Sequence, residues 1–446
     1  MLIFWLLFTI GIIILFSAVI KIHPLPVLLG AAIFFGVVTG MRFDKIITAI
    51  SNGFGDTQRS IGLVIIAGTI IGVFMEKRGA LSLLARKILQ LTGNKRLPLA
   101  VSTIGFISSI AIFCDSAFVI LIGLCREMAK LAKYKIAVVA TILSMGLFAT
   151  HCLVPPTPGP LAAVSILQAD LGIMMLFSLI CAILAAVGGM FYALLFCRNI
   201  EVADDSGNHI FPDSPHIESV QFSGNCFLAM QPIVLPLFLI LLNTVKDYLP
   251  GLPPSVIHII ELLGIPVVAV GIGAIVAVFG LSRCRAAELT MDGDIGKAVI
   301  QAAGILAITG AGGSFGEILR MSELKNQLPL NFVGGSFWVI ILPILISAFL
   351  KTAQGSSTVA ILGSAAIFAP LLPDLGLSSA PLRALTAVAV CTGGLMVSHT
   401  NDSYFWVVTQ FSHFSVRQGL RTQTMGSLFS GLAATTGVVV IYFFIR

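Results

Sequence analysis

Stretches of about 20 apolar residues, each long enough to cross a bilayer, recur along this chain from one end to the other. Leu2–Ile20, Leu171–Leu195, Cys226–Leu242 and Met425–Ile445 are the clearest. Ten to fourteen such segments can be marked, several of them interrupted by Gly, Pro or charge. Only 10% of the 446 residues are charged, against roughly 25% in a soluble globular chain. The chain therefore reads as an all-α polytopic membrane protein with the lipid bilayer as its solvent. Its net charge of +6 lies in short loops, which fits the positive-inside bias and excludes nucleic acid as a partner. The first apolar run has no basic region before it and no small-residue cleavage site after it, so it is expected to be a retained helix. The eight cysteines are scattered without metal-ligand spacing and read as small buried hydrophobes. No metal and no cofactor are expected.

The one long polar stretch, Arg198–Ser223, contains Asp, Ser and Pro without helical periodicity. It is taken as the core of a linker over 198–225, between an N-terminal transmembrane unit (1–197) and a C-terminal one (226–446). The two units share a pattern. Pro26-Val27 recurs as Pro266-Val267, 240 residues on. Gly72–Glu76 recurs as Gly313–Glu317 at 241, an offset that also sets Asp115-Ser116 opposite Ser356-Ser357. Thr150-His151 then falls opposite Ser398-His399. Their shared order predicts a structural repeat, and repeats with broken helices are the building plan of secondary transporters. Charge suggests that the repeat is inverted. The loops 76–96 and 126–135 are both rich in Lys and Arg, so the segment Leu97–Cys125 between them should enter and leave on one side, as a re-entrant hairpin with its tip near Cys114-Asp115. The corresponding flanks in the second half are nearly neutral.

Polar clusters at membrane depth are functional candidates, because an unpaired polar group in hydrocarbon costs several kcal/mol. In Ala149–Pro160, four prolines and a glycine interrupt an apolar helix and must unwind it. A new helix starting near Leu161 would present free N–H groups to an anion, beside Thr150, His151, Pro155, Pro156 and Thr157. Ser398, His399, Thr400, Asn401 and Asp402 form the counterpart, followed by the aromatic run Tyr404–Trp406. Gln354, Gly355, Ser356, Ser357 and Thr358 suit the tip of a second hairpin. Ser116 and Asp115 sit at the first tip. A carboxyl group taken out of water can load and release a proton near neutral pH, which makes Asp115 and Asp402 the proton-coupling candidates. Glu76 adjoins Lys77 and Arg78 and reads as interfacial. Lys351 could either meet a substrate carboxylate or snorkel. The glycine-rich 311–316 stretch lacks the strand and Lys-Ser/Thr of a phosphate loop and reads as a close-packed or broken membrane helix. An intramembrane enzyme would need a nucleophile with its base or a metal cluster, and no HExxH pattern is present.

At these residues the sequence resembles the gluconate permease family of bacterial gluconate:proton symporters. The likeness runs through the whole chain and rests on His151–Pro160, Gly310–Phe315, Ala353–Ala360 and Ser398–Trp406. The family commonly has a histidine where Thr157 stands and often a glutamate where Asp115 stands. The resemblance implies the fold of the wider ion-transporter superfamily: inverted repeats, scaffold and transport domains, and a homodimer in the inner membrane. It implies a secondary transporter that imports a small hydroxy-carboxylate, gluconate first, by proton symport. A D-serine or other amino-acid:proton symporter and a sodium-coupled carboxylate carrier stay open. Hydroxyls at Ser356, Ser357, Thr358, Ser398 and Thr400 would bind the carboxylate, with His151, Thr157, His399 and Asn401 reading the hydroxyl groups.

Overall fold

The computed structural model describes all residues except 1, 17–19, 21, 93–95, 203–224, 247–252, 282–283, 323–337 and 401. Most of the linker expected over 198–225 thus lies outside the described residues, as does Asn401. The described residues are helical throughout, without a strand. The first half runs α1 (Leu2–Ile14), α2 (Pro24–Val38), α3 (Phe43–Lys77), α4 (Ala80–Thr92), α5 (Leu97–Ala111), α6 (Cys114–Leu131), α7 (Ile136–Leu153), α8 (Pro158–Leu167) and α9 (Leu171–Phe196). The second runs α10 (Cys226–Val245), α11 (Pro254–Leu263), α12 (Pro266–Ile275), α13 (Asp294–Met321), α14 (Trp338–Gln354), α15 (Ser357–Phe368), α16 (Ala380–Leu395), α17 (Ser403–Phe411), α18 (Val416–Gly419) and α19 (Met425–Ile445).

Among the described residues, six helical stretches are long and apolar enough to cross a membrane, or seven if the bent pair Pro254–Leu263 and Pro266–Gly280 forms one span. Six shorter apolar helices accompany them. The ten to fourteen apolar segments of the sequence therefore divide into full spans and helices that stop short. The reason is length: the 15 residues of α5 rise about 22 Å at 1.5 Å per residue, against a hydrocarbon core of about 30 Å.

Each half contains a long helix (α3, α13), two short helices meeting at a two-residue joint (α5/α6, α14/α15), a broken helix (α7/α8, α16/α17) and a long closing helix (α9, α19). α14 and α15 fold back on one another, and a Cβ on Gly363 would meet Leu350 at 3.3 Å. The first joint lies at Ile112-Phe113, so Asp115 stands in the first turn of α6 and not at the tip itself. The second lies at Gly355-Ser356, where Gly355 takes φ +82°, a conformation that a side chain would strain.

Small residues let backbones approach, as membrane helix packing requires. α3 and α13 run antiparallel, and a Cβ on Gly53 would sit 2.5 Å from the Gly313 carbonyl. Gln58 Nε2 donates to the Leu306 carbonyl at 2.7 Å, and Ser314 Oγ to the Ile50 carbonyl at 2.8 Å. The glycine-rich 311–316 stretch is thus unbroken, close-packed helix. Gly312–Gly316 has the G-x-S-x-G spacing of a nucleophile elbow, but it lies inside α13, with no strand before it and Ser314 engaged, so it is not one.

Candidate functional site

The sequence of the first broken helix forbids its continuation. Pro155, Pro156, Pro158 and Pro160 each lack an N–H. α7 ends at Leu153, the chain is extended at Val154, and α8 resumes at Pro158, three residues earlier than Leu161. That start changes the expected chemistry. Of the first three positions of α8, only Gly159 keeps an N–H, and the Leu161 N–H is already bonded to the Thr157 carbonyl at 3.2 Å. The helix start offers one free donor where several were expected. Thr157 Oγ1 donates to the Val154 carbonyl at 2.6 Å, so the hydroxyl faces the break as an acceptor.

Around this break lies a cavity of about 530 Å³, counted to its open mouth. Ser116, His151, Pro156 and Thr157 line it, together with Thr69, Glu76 and Gln301. Phe113, at the α5/α6 joint, forms another part of the wall, its ring centroid 6.0 Å from that of His151. Glu76 is exposed and belongs to the cavity wall, not merely to the interface. Beside it, Lys77 and Arg78 pair with Asp294 at 2.5 Å and Glu288 at 2.6 Å, fixing the end of α3 against the approach to α13. The sequence singled out neither Thr69 nor Gln301. The available signal was a lone polar residue in an otherwise apolar helical stretch.

The second-half clusters do not line this cavity; they close behind it. Lys351 is wholly buried, its Nζ 2.5 Å from Asp402 Oδ2, so it neither snorkels nor faces open space. Asp402 also accepts from Ser398 Oγ at 2.5 Å and, as the N-cap of α17, from the Tyr404 N–H at 3.1 Å. Gln423 Nε2 reaches Ser398 Oγ at 3.3 Å, and Ser144 Oγ donates to Gln423 Oε1 at 2.5 Å. Val397, a β-branched residue, is held at φ +56° in this break, a conformation that costs about 1–3 kcal/mol. Ser356 caps α15 by accepting the Val359 N–H at 3.4 Å. A Cβ on Gly159 would lie 3.8 Å from the Thr358 Cα, so the starts of α8 and α15 abut. Ser357 is buried. His399 Nε2 meets the Thr352 carbonyl at 2.9 Å, and Thr400 is exposed. The side chain of Gln354 lies outside the described residues.

Asp115 and His151 link the two zones. Each has one buried atom without a hydrogen-bond partner, Oδ1 and Nδ1 respectively, and each feels the charges of Asp402 and Lys351. No group of three or more His, Cys, Asp or Glu among the described residues could hold a metal ion.

Discontinuous helices form the substrate sites of secondary transporters, and comparison with known proteins decides the family. The model of the GntP family permeases matches residues 1–444. This chain belongs to that family. As a GntP-family permease it is an integral membrane protein that carries solutes, not an enzyme. Its relatives include a gluconate permease of Pseudomonas aeruginosa, 29% identical over 423 residues, covering 93% of this chain and 91% of that one. The D-serine transporter DsdX of Escherichia coli K12 is also 29% identical, covering 99% and 98%. Among solved structures, the YdaH transporter of Alcanivorax borkumensis superposes with a TM-score of 0.65 at 16% identity, covering 95% of this chain and 99% of that one, which establishes the fold alone.

Proposed function

We propose that this permease imports gluconate or a closely related small sugar acid across the bacterial inner membrane by proton symport. The observation that carries the proposal is the cavity at the α7/α8 break. Its wall offers the hydroxyls of Thr69, Ser116 and Thr157, the amide of Gln301 and the ring of His151. Such a set can exchange hydrogen bonds with a polyol chain. Asp115, with an unpartnered oxygen within electrostatic reach of Asp402, supplies the proton site, and the two aspartates share that role. The halves 1–197 and 226–446 are taken as units of opposite membrane orientation, with α8 and α15 meeting where the breaks converge, and the working assembly as a homodimer.

One observation favours a second substrate. Glu76 lies on the cavity wall, and among the described residues no Lys or Arg does, an arrangement that suits an ammonium group. D-serine is therefore the alternative, and a sodium-coupled carboxylate carrier is the alternative in coupling. Uptake of labelled gluconate and D-serine into proteoliposomes separates the three. The expected result is gluconate accumulation that requires an inwardly directed proton gradient and is indifferent to sodium. Accumulation of D-serine alone, or dependence on a sodium gradient, would overturn the substrate or the coupling ion respectively.

A further inference from the structure

Two deeply buried charges do not lie on the cavity wall. Lys351 and Asp402 are both buried at the meeting of the α14/α15 joint and the 396–402 break. The Lys351 ammonium also donates to the Gly355 carbonyl at 2.6 Å and lies 5.6 Å from the centroid of the Phe148 ring. Packing alone does not call for charge here, because apolar residues of similar size often serve a buried contact as well or better. The 241-residue correspondence makes the point within this chain: Ile110 stands opposite Lys351.

The titratable groups closest to the pair's charges lie on α6, α7, α17 and the break. They are Cys114 and Asp115 on α6, His151 and Cys152 on α7, Tyr404 on α17 and His399 in the break. Lys351 is the one lysine or arginine acting on Cys114, Asp115, His151 and Cys152. His151, on the cavity wall, stands three residues beyond Phe148, whose ring lies against the Lys351 ammonium, and among the described residues no Lys or Arg lines that wall.

We infer that Lys351 receives the carboxylate of the substrate, and that Asp402 yields it by taking up the co-transported proton. This rests on the proposed carriage of a monocarboxylate with a proton. The charges balance. The resting pair is neutral, the entering carboxylate adds one negative charge, and one proton on Asp402 restores neutrality while Lys351 stays an ammonium. Asp402 keeps Ser398 as a hydrogen-bond partner throughout, and the four-carbon stem of Lys351 lets its head group change partner.

The test uses purified full-length protein with gluconate as the probe, measuring affinity and the protons taken up on binding by calorimetry in buffers of different ionisation enthalpy. The wild type should take up about one proton per gluconate bound. Asp402→Asn should bind gluconate with no proton uptake and no dependence on pH. The charge-neutral double variant Lys351→Met/Asp402→Asn keeps the buried site uncharged, so folding does not confound it. Its affinity should fall at least about tenfold, or about 1.4 kcal/mol, with no proton uptake. Wild-type affinity and proton count in the double variant would overturn the inference while leaving the transport reading intact. A wild type that accumulates no gluconate would overturn both.

Discussion

Lys351→Met should be among the most destabilising single substitutions in this protein. It leaves Asp402 as an uncompensated carboxylate that is 5% exposed, and breaking a buried pair from one side costs about 3–5 kcal/mol. The double variant Lys351→Met/Asp402→Asn removes both charges, keeps the Tyr404 N–H bonded to the amide oxygen, and sets the amide NH2 against Ser398 Oγ, which can accept from it. It should recover most of the loss. Thermal unfolding in detergent of the wild type, both single variants and the double variant measures the coupling directly. A single variant as stable as the wild type would show that water reaches the pair and that the site is not dry.

Asp115→Asn should abolish proton-driven accumulation of substrate while sparing exchange across the membrane. One carboxyl oxygen of Asp115 is buried without a hydrogen-bond partner, within electrostatic reach of Asp402 and Lys351, and an amide in its place cannot alternate between charged and neutral forms. Counterflow, in which unlabelled substrate inside the vesicles drives entry of label, needs no net proton movement and should persist. Comparison of pH-driven uptake with counterflow in one preparation separates loss of coupling from loss of binding. Undiminished pH-driven accumulation in this variant would move proton entry to His151 or directly to Asp402.

Much of this is legible in the sequence because bilayer and backbone impose strict conditions. Apolar runs mark the membrane segments, and the prolines of 155–160 mark the break where the cavity is found. The same prolines also limit the N–H groups that α8 can offer, since Pro158 and Pro160 carry none. An anion-binding helix start with several free donors is incompatible with that count. Spans and half-spans are harder to separate, because hydropathy reports burial from water and not depth in the membrane. Leu97–Ala111 and Leu171–Phe196 are similarly apolar, and only one is long enough to cross.

The partner of Lys351 is not legible, because it lies 51 residues away on another broken helix. A lone lysine and a lone aspartate, each inside apolar sequence, are the available signal, and pairing them follows from the cost of burying either alone. The sequence suggests Thr157 as a donor to substrate. Its hydroxyl instead donates to Val154, a local bond that the extended backbone of the break makes possible. The basic neighbours of Glu76 suggest an interfacial position for it. Those neighbours are engaged with Asp294 and Glu288, which leaves Glu76 to the cavity.

The claim that the α7/α8 break holds the substrate is tested most directly at Ser116, a half-buried residue on the cavity wall. Ser116→Cys places a thiol there with little change in volume, against a background of eight native cysteines, six of them buried. Membrane vesicles bearing this variant, treated with a membrane-impermeant maleimide from the side of the cavity mouth, should label above wild type. Saturating gluconate should slow that labelling, and an equal concentration of an uncharged polyol should not. Labelling of Ser116→Cys that proceeds at the same rate with and without gluconate, in protein that transports gluconate, would contradict the placement of the substrate in this cavity.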